Sequence, residues 1–578
     1  MKRFITILLL SALVAWPTAV DAKQSKKEVP DANVAVRKIK ADSKFLNIPV
    51  RTGAPQRTLE IFSQGKKVRE LRLEFDAVDT EFWVNLSMEE WLGKDVEIRS
   101  PDKSIESDLN LLYQSNSPAG AETFYKEPLR PGFHFTAQRG WHNDPNGLVY
   151  YDGVWHLFFQ HNPYGWHWGN MTWGHAVSSD LFHWTELGDA IHPDQYGTIF
   201  SGSAIVDKDN TLGFQKDGVK TLAAYYTYRG GDITIWSKSA DGFSQGLAYS
   251  TDKGLTWTKF EEPIIGFVCD GTRDPKVIWD EGSKQWVMAL YHDPEHGFGL
   301  FTSTNLKDWT EIQRLKLEND GECPDFFPIK VEGSSETKWV FSGASKNYVI
   351  GDFDGKKFTY DPKQKVYGVG KNFYASQTYD NAPGGRRVQI SWMVECEFPG
   401  MAFNQQMSVP RDMKLYKVNG EYIIKSLPVP EIENVFGGGV HTWEPALLKG
   451  DRANVTSSFC GKMYALDAQF DVSKSKGDGF GFAFGGFEVY YSIGRKMLLM
   501  GEAGQPKTEV ALEPENGLVT LKVLVDVNSV EIFANGGEIC GAFAHFARAG
   551  SDPLKTIANG EIQLDKLTIR EIKSIWKK

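Results

Sequence analysis

The sequence predicts an all-β protein: a five-bladed β-propeller, followed by a C-terminal β-sandwich and preceded by a small N-terminal β-sandwich. Three observations predict it. A short motif recurs through the central part of the chain, period-two alternation of apolar residues runs at both ends, and helical periodicity is almost absent. The composition agrees, with 18 Trp, 36 Phe, 21 Tyr and 56 Gly among 578 residues. Many short strands joined by tight turns use residues in that way.

In chain order, Lys2 and Arg3 precede an apolar run from Phe4 to Val14, and Val20-Asp21-Ala22 ends on small residues at the spacing a signal peptidase reads. The run is shorter than the ~20 residues a spanning helix needs. Residues 1–22 are therefore expected to be a signal peptide. No cysteine follows the run, so a lipid anchor has no attachment point. The expectation is export to the periplasm or the medium, without membrane insertion. Residues 23–50 read as a polar leader.

Residues 51–115 read as the N-terminal sandwich, because Leu71, Leu73 and Phe75, then Phe82, Val84 and Leu86, then Val96 and Ile98 alternate along strand-like runs. The propeller is placed at 130–425. There Ser178-Ser179-Asp180-Leu181-Phe182-His183-Trp184-Thr185 is echoed by the stretches from Ser250 to Thr258 and from Ser303 to Thr310, and weakly by Asp352 to Thr359. Each copy has an Asp or Asn turn, then an aromatic, then Thr, as a hairpin between two outer strands needs. Intervals of 72 and 53 residues between the first three copies suit one four-stranded blade per copy. Four copies leave room for a fifth blade. From 430 to 578 the alternation resumes in a new register (Phe480, Phe482, Phe484; Leu521, Val523, Val525), as a larger sandwich requires.

The net charge of −10 argues against nucleic acid or an anionic membrane as the main partner, since both reward clustered Lys and Arg. Five cysteines, none in a CxxC pair, offer no zinc cluster or redox motif and read as buried small hydrophobes. Eight of the twelve histidines fall between His134 and His192, but at irregular spacings without HExxH. No metal and no cofactor is expected.

Three stretches place an acid just before or beside a proline: Trp141-His142-Asn143-Asp144-Pro145-Asn146-Gly147, Arg273-Asp274-Pro275 and Glu322-Cys323-Pro324-Asp325. Proline restricts its own backbone and its neighbour's, which suits side chains that have to be held still. A propeller gathers such loops round one central funnel.

With these motifs the chain resembles glycoside hydrolase family 32, the invertases, inulinases and levanases, from about Phe133 to Arg411 and on into the sandwich behind. The resemblance implies a retaining β-fructosidase that hydrolyses levan or inulin, and also sucrose, from the non-reducing end to release fructose. It assigns Asp144 as nucleophile, Asp274 as the residue that binds sugar hydroxyls and stabilises the transition state, and Glu322 as acid/base. By the same resemblance Asn143, Gln160, Trp168, Phe200, Ser201, Arg273, Tyr374 and Phe403 bind the substrate. Fructosyl cleavage passes through an oxocarbenium-like transition state, so Asp144 has to be ionised and Glu322 has to start protonated. Arg273 is expected to keep Asp274 ionised.

One departure stands out: where many members carry Trp in a W-N-G stretch, this chain reads Phe403-Asn404-Gln405. A smaller ring there alters the expected pocket wall and leaves an endo-levanase as the alternative. Two further readings are weaker. A sialidase fits the Asp-turn repeat, but no arginine cluster for a substrate carboxylate accompanies the acidic motifs. A non-catalytic fructan-binding protein is opposed by the intact Asp144, Asp274 and Glu322.

Overall fold

The computed structural model describes residues 33–231, 236–237, 242–450, 454–546 and 554–576, and among them it is nearly all β-strand. The expected signal peptide lies outside the described residues. The N-terminal region differs from the sequence reading. Ala35–Lys40 and Phe45–Val50, assigned above to the leader, are strands of the first two sheets. One sheet orders Ala35–Lys40, Asp95–Ser100, Gln56–Ser63 and Lys66–Glu74; the other orders Phe82–Ser87, Phe45–Val50 and Tyr113–Ser115. Lys38 and Lys40 made the segment look like a leader, but these charges alternate with residues that face inward, and Ala35, Leu46 and Ile48 are buried in the core.

Five blades follow, each built on four antiparallel strands, and Lys365–Val366 adds a fifth strand to the fourth blade. Their innermost strands are Gly140–Tyr151, Thr198–Asp207, Arg273–Asp280, Asp325–Lys330 and Tyr374–Thr378, in blades 1 to 5. The four motif copies occupy the turns between the third and fourth strands of blades 1 to 4. In each copy the Asp or Asn side chain accepts from backbone N–H groups that follow it. Asp180 accepts from Phe182 and His183 at 3.1 and 2.8 Å, Asn305 from Lys307 and Asp308 at 3.0 and 2.8 Å, and Asp354 from Lys356 and Lys357 at 2.8 and 2.7 Å. The next residue is left-handed every time: Leu181, Lys253, Leu306 and Gly355, with φ of 67°, 63°, 68° and 86°. That conformation costs an L-residue ~1–2 kcal/mol. The collected hydrogen bonds offset the cost, and burial of Leu181 and Leu306 adds to them. Blade 5 has no copy; Asn419 and Gly420, both at positive φ, make its last hairpin with two residues.

The ring is closed by pairing between its ends. Phe403–Asn404, from the connection within blade 5, lies parallel to Gly140 and Trp141 of blade 1. Asp380 N donates to Leu148 O at 2.9 Å, and Tyr150 N donates to Asp380 O at 3.0 Å. Around the axis, polar side chains tie one innermost strand to the next. Ser203 Oγ donates to Pro275 O and accepts from Val277 N, both at 2.9 Å. Lys276 Nζ sits 3.2 Å from Asp325 and donates to Thr378 O, and Thr378 N donates back to Asp325 at 2.7 Å.

Behind the propeller, ten strands from Phe436 to Ile572 form the C-terminal sandwich, in which Tyr464–Phe484 and Lys555–Ile572 pair along most of their length. Phe470, Phe480 and Phe482 are fully buried there, each contributing ~1.5–3 kcal/mol. The sandwich grips both ends of the ring through buried charges. His134 lies between Asp526 at 2.7 Å and Glu531 at 3.0 Å, and Glu531 also accepts from Arg411 at 2.5 Å and from Val409 N at 2.7 Å. Burial alone pushes the His134 pKa down, but the two carboxylates outweigh it and raise it to about 9. Asp526 and Glu531 are held low by the same contacts, against the upward push of burial.

His134→Ala leaves two buried carboxylates short of their partner and is expected to destabilise by ~3–5 kcal/mol. The folded pKa of His134 is raised, so its contribution is complete below about 6.5 and is lost as pH rises through about 9. Calorimetric melting of the wild type should therefore fall between those values, and the fall should be smaller in His134→Ala. Equal slopes in the two proteins contradict this.

Candidate active site

The three motif acids stand at the beginnings of innermost strands, where those strands converge. Pairing is irregular round Asp144 and Asp274, while Glu322 precedes the first residue of its strand, Asp325–Lys330. In blade 1 the register with the second strand shifts between His142 and Pro145, which brackets Asn143 and Asp144. In blade 2 it shifts between Phe200 and Gly202, round Ser201. In blade 3 it shifts between Arg273 and Lys276, round Asp274. In blade 5 it shifts between Tyr374 and Gln377. Such bulges re-aim a side chain out of the strand alternation, and Pro145 and Pro275, with no N–H to give the ladder, favour them.

The backbone is also strained. Asp274, Glu322 and Cys323 have φ of 64°, 38° and 39°. A residue before proline is ordinarily extended, yet Asp274 and Cys323 are left-handed. Hydrogen bonds hold them there. Asp274 N donates to Thr227 Oγ1 at 2.9 Å, and Cys323 N donates to Asp274 Oδ2 at 3.0 Å. Strain of this kind costs ~1–3 kcal/mol per residue and persists only when the surroundings over-determine it.

Asn143, Asp144, Gln160, Trp168, Phe200, Ser201, Arg273, Asp274, Glu322 and Tyr374 line one cavity of about 240 Å³. Inside it Asp144 Oδ2 accepts from Ser201 Oγ at 2.6 Å and from the Cys323 thiol at 3.4 Å, and Oδ1 accepts from Asn143 Nδ2 at 3.1 Å. The Trp141 indole donates to Asn143 Oδ1 at 3.0 Å and so orients that amide. Glu322 accepts from Arg273 Nε and Nη2 at 3.2 and 3.0 Å and from the Tyr374 hydroxyl at 2.5 Å. Gln160 Oε1, buried in the wall, has no hydrogen-bond partner among the described residues.

Three carboxyl groups therefore share one small space with a single cation, Arg273. Burial raises the pKa of Asp144 and the nearby Glu322 adds to it, while the Ser201, Asn143 and Cys323 hydrogen bonds oppose it. Asp274 is pushed up to about 7, first by burial and then by Glu322 and Asp144, against Arg273 and the Cys323 amide. Arg273 does not outweigh burial, contrary to the expectation that it keeps Asp274 ionised. The thiol of Cys323 is pushed well up by burial and by the surrounding carboxylates, so it remains a neutral donor.

One substrate-binding expectation needs correction. Phe403 is fully buried and lies away from the cavity, with the Arg130 guanidinium 3.4 Å from its ring centre and Phe398 against it. Its pairing with Gly140 turns it to the back of blade 1. The wall is completed instead by Trp392 and Met171. Trp392 donates from its indole to Gln405 at 3.0 Å and packs edge-on against Trp141 and Tyr374. Its alternation with Val388 and Ile390 reads as a core face, which is why the sequence reading passed over it. Cys323 was quoted only as part of its motif, and its neighbour in the stretch, Glu322, was the one signal pointing to it.

Comparison with known proteins now has a geometry to rest on. The family model "Glycosyl hydrolases family 32 N-terminal domain" matches residues 134–426, and "Glycosyl hydrolases family 32 C terminal" matches 444–571. A levanase from Bacillus subtilis (strain 168) is 35% identical, over 81% of this chain and 74% of its own. An extracellular exo-inulinase from Aspergillus ficuum is 30% identical, over 78% and 96%. Among solved structures, exo-inulinase from Aspergillus awamori superposes with a TM-score of 0.70 at 29% identity, covering 78% of this chain and 100% of its own. A β-fructofuranosidase from Schwanniomyces occidentalis complexed with fructosyl-erythritol gives 0.70 at 26%, over 78% and 99%.

Ser201→Ala removes a hydrogen bond that favours the ionised form of Asp144. The carboxyl titration of the cavity, followed by ¹³C NMR on labelled aspartate, should move to higher pH by up to about one unit. Because these carboxyls are coupled, the shift is read on the group as a whole. A midpoint that stays or falls contradicts the role given to Ser201.

Proposed function

The chain belongs to glycosyl hydrolase family 32, and on that footing we propose that it is an exported, retaining fructan β-fructosidase acting from the non-reducing end. The observation that carries this reading is the convergence of Asp144, Asp274 and Glu322 on one small cavity walled by Trp168, Phe200 and Trp392. Relatives named levanase and exo-inulinase support fructan as the substrate. A relative named invertase, 28% identical over 80% of this chain, supports sucrose as a further one.

In this reading the terminal fructose occupies the cavity. Asp144, ionised and held by Ser201 and Asn143, attacks the anomeric carbon and forms a fructosyl ester, while Glu322 gives its proton to the departing glycosidic oxygen. Asp274 binds ring hydroxyls, whose hydrogen bonds tighten as positive charge builds on the ring. Water then enters. Glu322, now a carboxylate steadied by Arg273 and Tyr374, takes the water's proton, and the hydroxide released to the anomeric carbon displaces Asp144. Two displacements restore the starting configuration. The buried, unpartnered Gln160 oxygen is available to accept from a sugar hydroxyl.

A cavity that commits so many groups to one sugar supports release of single units. Export rests on the leader from Lys2 to Ala22, and the relative printed as extracellular is in keeping with it.

Glu322→Ala should lower kcat on levan or inulin by about 10²–10⁴-fold, and Asp144→Ala by at least as much. With a substrate whose leaving group needs no proton, Glu322→Ala should still form the ester, and azide should restore its turnover with retention. Inverted product from azide rescue of Glu322→Ala, with retained product from rescue of Asp144→Ala, exchanges the two roles. Early products from a long fructan should be fructose alone, in the retained anomeric form by NMR. A ladder of oligosaccharides before any fructose points to the endo alternative.

A further inference from the structure

The N-terminal sandwich lies outside both family matches, which begin at residue 134. It is nonetheless built into the rim of the catalytic cavity. The connection between the second and third strands of blade 1, from Asn162 to Thr172, is held against it. Tyr164 is buried within the sandwich core. The Asn170 side chain bonds the backbone of Arg72 in both directions, accepting from its N–H at 2.7 Å and donating to its carbonyl at 2.6 Å, as a neighbouring strand would. His167 Nδ1 lies 3.2 Å from Glu74, and Asn162 spans the base of the connection with bonds to the His167 carbonyl and the Asn170 amide.

Between sandwich and connection lies a second cavity of about 220 Å³. Gln56, Arg72 and Glu74 line it from the sandwich side, and His167, Trp168 and Asn170 from the propeller side. It is nearly the size of the catalytic cavity and shares two lining residues with it, Trp168 and Met171. Trp168 thus stands between the two spaces, and its indole is 47% exposed.

We propose that this second cavity is a distal sugar subsite, in which the N-terminal sandwich binds the fructosyl units that continue a fructan chain on the leaving-group side. The inference rests on the function proposed above for the adjoining cavity. Trp168 and Met171 are walls of both cavities, so a fructan chain that leaves the catalytic cavity past Trp168 next meets the space the sandwich completes. The chemistry of the lining suits a furanoside. An exposed indole offers an apolar face to the sugar ring, while a guanidinium, a carboxylate and a primary amide offer both donors and acceptors to its hydroxyls. Sucrose is too short to gain from these groups, since only one unit follows its fructose; a longer fructan is not.

The test uses the full chain with Gln56→Ala/Arg72→Ala, which keeps the backbone groups that bind Asn170, and separately Gln56→Trp, which fills the cavity from an exposed strand position. The ratio of kcat/KM on a fructan of many units to kcat/KM on sucrose should fall about tenfold in both, through KM on the fructan. Calorimetric titration with Asp144→Ala introduced into the wild type and into each variant gives a readout free of turnover. A five-unit fructo-oligosaccharide should bind each variant about tenfold more weakly than it binds the wild type. An unmoved ratio with unmoved oligosaccharide binding overturns the subsite. So does an equal loss on sucrose and fructan, which makes the sandwich contact merely structural. A wild type that cleaves neither fructan nor sucrose defeats the proposed function instead, and oligosaccharide binding then decides the subsite by itself.

Discussion

The site depends on the polar ties that hold five innermost strands around one axis. Four of those strands are the inner edges of their sheets, the fifth, Gly140–Tyr151, is paired inward only at Gly140 and Trp141, and edge strands leave backbone groups unpaired. Here Ser203 bridges blades 2 and 3, Lys276 and Asp325 bridge blades 3, 4 and 5, and Asp380 joins blade 5 to blade 1 through its backbone and to blade 2 through Val206 N at 3.2 Å. These side chains satisfy groups that cannot reach one another directly. They also set how close the beginnings of the strands come. Asp144, Asp274 and Glu322 are separated by 130 and 48 residues of chain, and only this ring brings them together.

Bringing carboxyls together has an electrostatic cost, and the site meets it locally. One guanidinium, two hydroxyls, a side-chain amide, a backbone amide and one neutral thiol are distributed among three acids. The distribution is uneven. Asp144 has three donors, whereas Asp274 is the more deeply buried in its effect and is raised to about 7 despite its neighbour Arg273. Cys323 touches both through its thiol, and its backbone is strained to do so. Uneven environments are how chemically identical groups take different roles in one cavity.

The two flanking sandwiches brace opposite aspects of this arrangement. The C-terminal one clamps the two ends of the ring with a buried His134–Glu531–Arg411 chain of charge, which opposes the opening that a ring closed by only a few strand pairs is prone to. The N-terminal one holds a single connection of blade 1 and thereby the indole of Trp168. Stability and specificity are thus drawn from different neighbours.

Fold class and the three acid–proline stretches were legible from local chemistry, whereas the roles expected of the acids came from the family resemblance. Alternation marks strands because successive side chains face opposite ways, Asp-turn copies mark hairpins because one carboxylate collects successive N–H groups, and Asp-Pro marks a break in the ladder because proline has no N–H to give. All of these are properties of a few adjacent residues. What alternation could not convey is which side of a strand meets which neighbour. Trp392 carries the pattern of a core residue and lines the cavity; Phe403 stands where a pocket residue was expected and is buried behind Arg130. The strand of Ala35–Lys40 was hidden by lysines that alternate with inward-facing positions, and Phe45–Val50 is buried along nearly its whole length and so shows no alternation. The pKa of Asp274 depends on burial and on charges far away in the chain, and the second cavity exists only where two domains meet. Such features arise from packing between distant segments, and no local run of residues encodes them.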